Sequence, residues 1–242
     1  ISHDFRSPLT SIKGYLEAML DGTIPPEMQE KYADVFTTPI FTSNNADHQM
    51  TTQSQMEDYL RSLDDDADDM YIYSIGTSQK GRDIPVVIFT RTDLSSATTL
   101  EEATALMGQD KPAVLYRAQV HGNEPAAGEA ALGTITRLDG AYGESLLDTM
   151  NIYMIPRLSP YGAYKSQRVS YLNGSTTDPN RDFLHLQTAE VQARMRAYNA
   201  FDPEIVFDNH EYRFNTDSTS THRTDMMYCC HPLPMFTKDY QD

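Results

Sequence analysis

A histidine and a glutamate separated by two residues, His121-Gly-Asn-Glu124, close an apolar run of strand character, AVLYRAQV, and open what reads as a helix. A strand that delivers its last residue into a tight turn puts an imidazole and a carboxylate on one rim, where both can reach a single cation. Zinc favours such a pair, and catalytic zinc keeps three protein ligands with one position open to water. The third ligand must come from elsewhere in the chain. His210, in EIVFDNHEY, also follows a strand-like segment and is the candidate. Two ligand sets at the carboxyl ends of strands suit an open α/β sheet, in which ligands bind beyond those ends.

The residues between the two histidines narrow the reading. In order they contain Ser159-Pro-Tyr-Gly162, Arg168, Asp178-Pro-Asn-Arg181-Asp-Phe183 and Asp208-Asn-His210-Glu. With His121-Gly-Asn-Glu124 in front, this series resembles that of the zinc metallocarboxypeptidases of the carboxypeptidase A type, from about Tyr71 onward. The resemblance implies one Zn²⁺ per chain held by His121, Glu124 and His210. It also implies a peptide substrate whose terminal carboxylate is held by Asn180 and Arg181, and an oxyanion steadied by Arg168. A guanidinium suits the first task because its planar fork grips both carboxylate oxygens. Asp208 could accept a ring N–H from one of the metal histidines. An aspartoacylase-like deacylase acting on an acyl amino acid would use the same clamp, and so would a binding domain without catalysis. The peptidase reading favours a secreted or periplasmic setting.

Two departures from the family pattern stand out. N-P-D-G becomes Ser159-Pro160-Tyr161-Gly162, which keeps the turn residues and loses the Asn and the Asp. The family's general base, a Glu on a strand well past the third ligand, has no counterpart among the 32 residues after His210, where the acids beyond Glu211 are Asp217, Asp225, Asp239 and Asp242. The base is therefore expected beyond Asp242, and residues 33–242 are expected to form a carboxypeptidase-like domain that is incomplete at its C-terminus.

The elements that must position these residues follow from periodicity. Gln55 to Leu63, Leu100 to Met107, Glu124 to Leu138 and Ala189 to Ala200 read as helices. Tyr71 to Ile75, Ile84 to Phe89, the run ending at His121, Asn151 to Ile155 and Glu204 to Asp208 read as strands, the first two paired as a hairpin. This alternation predicts an α/β fold: a mixed, largely parallel sheet with helices on both faces.

Residues 1–32 differ. Phe5, Leu9, Ile12, Leu16 and Met19 form one helical seam that Asp21-Gly22 and Pro25-Pro26 end. His3-Asp4-Phe-Arg6-Ser-Pro8-Leu9 closely resembles the H-box of the phosphoacceptor domain of sensor histidine kinases, H-[DE]-x-R-x-P-L. In that family the His is phosphorylated and two helical hairpins pair as a four-helix bundle. No second seam follows Tyr32, so His3 is expected to lie unphosphorylated on an orphan helix left by a gene fusion or by a cloning or assembly scar.

Charge and composition exclude several classes. A formal charge of -16 and a pI near 4.7 oppose nucleic-acid binding, which needs clustered Lys and Arg. No apolar stretch approaches the roughly 20 residues of a membrane span. The acidic run Asp64, Asp65, Asp66, Asp68, Asp69 lacks the spaced pattern with Gly of a calcium loop and reads as a solvated turn. Cys229 and Cys230 are adjacent, a spacing at which a mutual disulfide is strained. Oligomeric state is not legible.

Overall fold

The computed structural model describes residues 38–39, 50–64 and 67–210. The H-box helix and its His3, Asp65 and Asp66, the acids beyond His210 and the cysteine pair lie outside the described residues.

Five strands form the main sheet: β1 (Met70–Thr77), β2 (Asp83–Phe89), β3 (Ala113–Ala118), β4 (Asn151–Ile155) and β7 (Ile205–Asn209), in the order β1-β2-β4-β3-β7. β2 pairs antiparallel with both β1 and β4, whereas β3 pairs parallel with both β4 and β7. Four of the five strands therefore point the same way and β2 alone is reversed, so the sheet is mixed and largely parallel as the alternation predicts. A two-stranded hairpin, β5 (Ser170–Leu172) with β6 (Ser175–Thr177), stands apart. The helices are α1 (Gln53–Asp64), α2 (Leu100–Met107), α3 (Pro125–Leu138), α4 (Ala141–Leu147), α5 (Pro160–Lys165) and α6 (Ala189–Phe201).

Why the sheet takes helices on both faces is visible in β2. Ile84, Val86 and Ile88 pack into one cluster with Leu100, Ala103 and Met107 of α2 and Ala193, Ala197 and Phe201 of α6. Val87 and Phe89, pointing the other way, pack with Met56 and Leu60 of α1, Leu132 and Ile135 of α3, and Leu147 of α4. A strand buried on both faces reads as a continuous apolar run, which is how DIPVVIF reads. Thr99 caps α2 in a reciprocal box with Glu102, and Thr188 caps α6 by accepting from Val191 N at 3.3 Å.

Most expected elements agree to within one or two residues. One boundary is corrected: β3 stops at Ala118, and Gln119 turns the chain with a left-handed φ of 50°, so His121 sits in a turn past the strand and not at its last rung. α4, α5 and the β5–β6 hairpin carry no strong periodicity and were not expected. The acidic run is partly engaged, because Asp69 forms a close ion pair with Arg91, which also reaches Asp148 at 3.3 Å.

Candidate metal centre

β3 and β7 are parallel neighbours in register, with Ala118 opposite Asn209. Chain leaving β3 through Gln119 and chain leaving β7 after Asn209 therefore emerge on the same edge of the sheet. His121 and Glu124 come from the first exit and His210 from the second. Glu124 occupies the N-cap position of α3 with Pro125 following, where the missing proline N–H costs nothing. The turn closes through Glu124 N donating to His121 O at 3.2 Å.

Two glycines let the neighbouring segments press on this turn. A Cβ on Gly122 would lie 1.8 Å from Gly162 C, so α5 packs backbone to backbone against it. On Gly128 a Cβ would lie 2.8 Å from Gln119 Oε1, which seats α3 against the exit from β3. The Ser-Pro-Tyr-Gly turn thus keeps the role its Pro and Gly imply, even without the family's Asn and Asp.

The candidate ligand atoms converge. His121 Nδ1 lies 2.6 Å from Glu124 Oε1 and His210 Nδ1 lies 2.8 Å from Glu124 Oε2, with the imidazole centroids 4.9 Å apart. Among the described residues, His121, Glu124 and His210 form a group whose candidate ligand atoms all fall within 4.8 Å of one another. His121 is 1% and Glu124 7% exposed, so the donor set is sheltered. Burial alone would raise the Glu124 carboxyl, yet the hydrogen bonds from His121 and His210 and their charge pull it down to about 2. His210 is raised to about 9 by Asp208, then by Glu124, against the effect of burial.

The surroundings fit a zinc ion. Both histidines turn Nδ1 toward the shared carboxylate and Nε2 toward outer partners. His121 Nε2 meets Asp178 Oδ1 at 3.1 Å, the carboxylate–histidine arrangement that fixes the tautomer and orientation of a metal-bound imidazole. Sequence reasoning gave that task to Asp208 alone and missed Asp178, although it stands in the Asp-x-Asn-Arg motif. Asp208 lies 3.7 Å from His210 Nε2 and accepts from Arg117 Nη2 at 2.7 Å, contacts that hold its carboxyl well below the usual range against burial. Asn180 Nδ2 is 3.5 Å from His210 Nε2.

Arg168 is brought to the centre: its Nε donates to Asp178 Oδ2 at 2.9 Å and its Nη1 stands 3.6 Å from Glu124 Oε1. Asp178 Oδ1 also accepts from Asn180 N at 2.8 Å, and these contacts lower its pKa although burial opposes them. Arg181 is exposed, its Nη1 donating to Asn180 O at 3.0 Å, and among the described residues it makes no bond to the three-residue cluster. Asp182 is no surface partner for it. At 2% exposure, Asp182 accepts from Gln187 N at 2.9 Å and from Thr188 N and Oγ1 at 2.8 and 2.9 Å, tying the Arg181 loop to the start of α6.

A family described as Zinc carboxypeptidase matches residues 56–226, and the His Kinase A (phospho-acceptor) domain matches residues 1–38. Carboxypeptidase 2 of Trichophyton rubrum is 30% identical over 165 residues, 67% of this chain and 29% of that protein. Carboxypeptidase 2 of Trichophyton tonsurans is 30% identical over 56% of this chain and 23% of that protein. The chain thus spans less than a third of the length of these relatives. Among solved structures, thrombin activatable fibrinolysis inhibitor aligns with a TM-score of 0.56 at 16% identity, over 84% of this chain and 59% of that one. The carboxypeptidase A of Helicoverpa armigera aligns with a TM-score of 0.54 at 16% identity, over 68% and 46%. At such identities the structural likeness shows the fold.

Proposed function

Because this chain belongs to the zinc carboxypeptidase family, we propose that His121, Glu124 and His210 hold one zinc ion and that residues 33–242 serve hydrolysis of the C-terminal bond of a peptide. The convergence of one candidate ligand atom each from His121, Glu124 and His210 within 4.8 Å, with both Nδ1 atoms on the Glu124 carboxylate, carries the reading. Bound there, zinc supplies Lewis acidity toward a carbonyl and an activated water.

The chain's own groups do the rest. Glu124 and the two imidazoles supply oxygen and nitrogen donors of the type zinc accepts in catalytic sites. Asp178 holds His121 in the tautomer that leaves Nδ1 for the metal. Arg168, anchored on Asp178 beside the cluster, is placed to donate to a developing oxyanion. Arg181, exposed and tethered only to Asn180 O among the described residues, is available to grip a free carboxylate together with Asn180.

Metal analysis of the purified chain, with each ligand replaced in turn by Ala, tests this directly. One zinc per chain is expected in the parent and none in His121→Ala. Binding of a blocked dipeptide with a free C-terminal carboxylate should depend on Arg181. Full zinc stoichiometry in His121→Ala would overturn the assignment.

A further inference from the structure

Behind the metal turn lies a buried chain of hydrogen bonds that the proposed chemistry leaves unused. Gln119, 2% exposed, holds a φ of 50°, which is uncommon for a residue with a side chain and persists only where the surroundings enforce it. Its Nε2 donates to Gly122 O at 3.1 Å and its Oε1 accepts from Arg157 Nε at 2.7 Å. A guanidinium cannot accept and a carbonyl cannot donate, so the orientation of the amide follows from its two partners. Arg157, 5% exposed, also donates through Nη2 to Thr51 O at 2.7 Å. Thr51 N and Oγ1 in turn donate to Glu129 Oε1 and Oε2, both at 2.7 Å.

The chain of bonds runs from Thr51, ahead of α1, through Arg157 and Gln119 to the peptide of Gly122, between the residues His121 and Glu124. Every link is sheltered from water, where competing hydrogen bonds cannot relax it and where removing one partner strands the other. α3 closes on the same amide, since Gly128 leaves no room for a Cβ beside Gln119 Oε1. We propose that Gln119 and Arg157 are positioning residues: they hold the Gly122 carbonyl so that His121 and Glu124 present their ligand atoms to one cation, and Arg157 ties the segment at Thr51 to that turn. This rests on the zinc reading above.

The test uses the whole 242-residue chain. Zinc affinity is measured by chelator competition, and ligand geometry by the visible absorption of the Co²⁺-substituted protein. Gln119→Gly removes the amide while suiting the positive φ, and Arg157→Met removes the guanidinium. Each is expected to weaken zinc binding by about tenfold or more, the usual effect of losing an outer support of a metal ligand, and to alter the cobalt spectrum. The double variant should bind only about twofold more weakly than either single one, because residues in one network do not act additively.

Affinities within about twofold of the parent with an unchanged cobalt spectrum would overturn the proposal, as would single losses that simply multiply in the double variant. Should Arg157→Met fail to fold, Gln119→Gly decides alone on affinity and spectrum. If the parent chain itself binds no zinc, the metal reading falls and this inference with it. Normal binding by the parent matched by Gln119→Gly overturns only the positioning role.

Discussion

Replacing Gly122 by Ala tests whether the close approach of α5 is what seats the metal turn. The added Cβ would stand 1.8 Å from Gly162 C, 2.1 Å from Ala163 N and 2.4 Å from Gly162 Cα, all of them backbone atoms that cannot rotate away. To restore an ordinary carbon contact of ~3.5 Å, one backbone must retreat by about 1.7 Å. Neither can do so freely. Gly162 is enclosed in turn, since a Cβ there would meet Ser159 Oγ at 2.6 Å and Gln167 O at 2.9 Å, while Gly122 O is held by Gln119. Overpacking a fitted site costs about 1–3 kcal/mol, and an overlap with immobile backbone belongs at the upper end, about 3 kcal/mol. For a domain of this size each kcal/mol moves the midpoint by roughly 2–4 °C, so the melting temperature should fall by about 6–12 °C. Calorimetry of the metal-free protein measures it, with zinc affinity measured in parallel because His121 and Glu124 flank the displaced peptide. A melting temperature within about 2 °C of the parent, together with unaltered zinc affinity, would refute the reasoning.

Two further outcomes are expected. Arg168→Ala should leave zinc stoichiometry intact and weaken binding of a tetrahedral phosphonate peptide analogue by about 10²- to 10³-fold, the usual loss of one oxyanion donor, and unchanged affinity for that analogue in calorimetric titration would remove Arg168 from that role. Asp182→Ala strands the N–H groups of Gln187 and Thr188 and should cost about 3 kcal/mol near neutral pH. Those bonds hold the Asp182 carboxyl below its usual pKa although burial opposes them. The stability it contributes is therefore present above the unfolded carboxylate value and lost as pH falls through the folded one. Denaturant titrations across the acid range should show parent and variant converging toward low pH, and a constant gap would contradict the assignment.

The parts of the fold written in apolar period were legible. DIPVVIF and NIYMI announce buried strands, and the helix from Leu100 to Met107 appears at the bounds its period sets. That His121, Glu124 and His210 would converge was also legible, because motif order is a property of the chain alone. What the sequence hid depends on contacts between distant segments. Asp178 supports His121 from 57 residues away, and Arg157 reaches Thr51 across 106. No local pattern encodes such pairs. Gln119 bends the chain out of β3 although its residue type favours no left-handed turn, and its conformation is explained only by the partners its amide meets in the folded protein. The short helix α5 has six residues and no helical period, and its Gly162 lies backbone to backbone against Gly122, a contact no local pattern encodes.

Electrostatics links this arrangement to the proposed substrate. The chain as a whole is strongly acidic, with a formal charge of -16, and a peptide carboxylate would be repelled by most of its surface. At the centre the balance differs. Glu124, Asp178 and Asp208 bring three negative charges, while Arg117 pairs with Asp208 and Arg168 with Asp178. Under the zinc assignment both imidazoles are neutral ligands, and the dication with the two arginines exceeds the three carboxylates by one positive charge before Arg181 is counted. The screening length at physiological salt is about 8 Å, so a charge at the sheet edge governs approach only within the mouth of the site. An anionic chain end is therefore repelled broadly and attracted locally, a pattern that orients it carboxylate first toward Arg181. Neutralising Arg181 removes an exposed positive charge beside Asn180 and should weaken binding of a peptide with a free C-terminal carboxylate while leaving zinc stoichiometry intact, the outcome that separates a carboxylate clamp from a metal ligand.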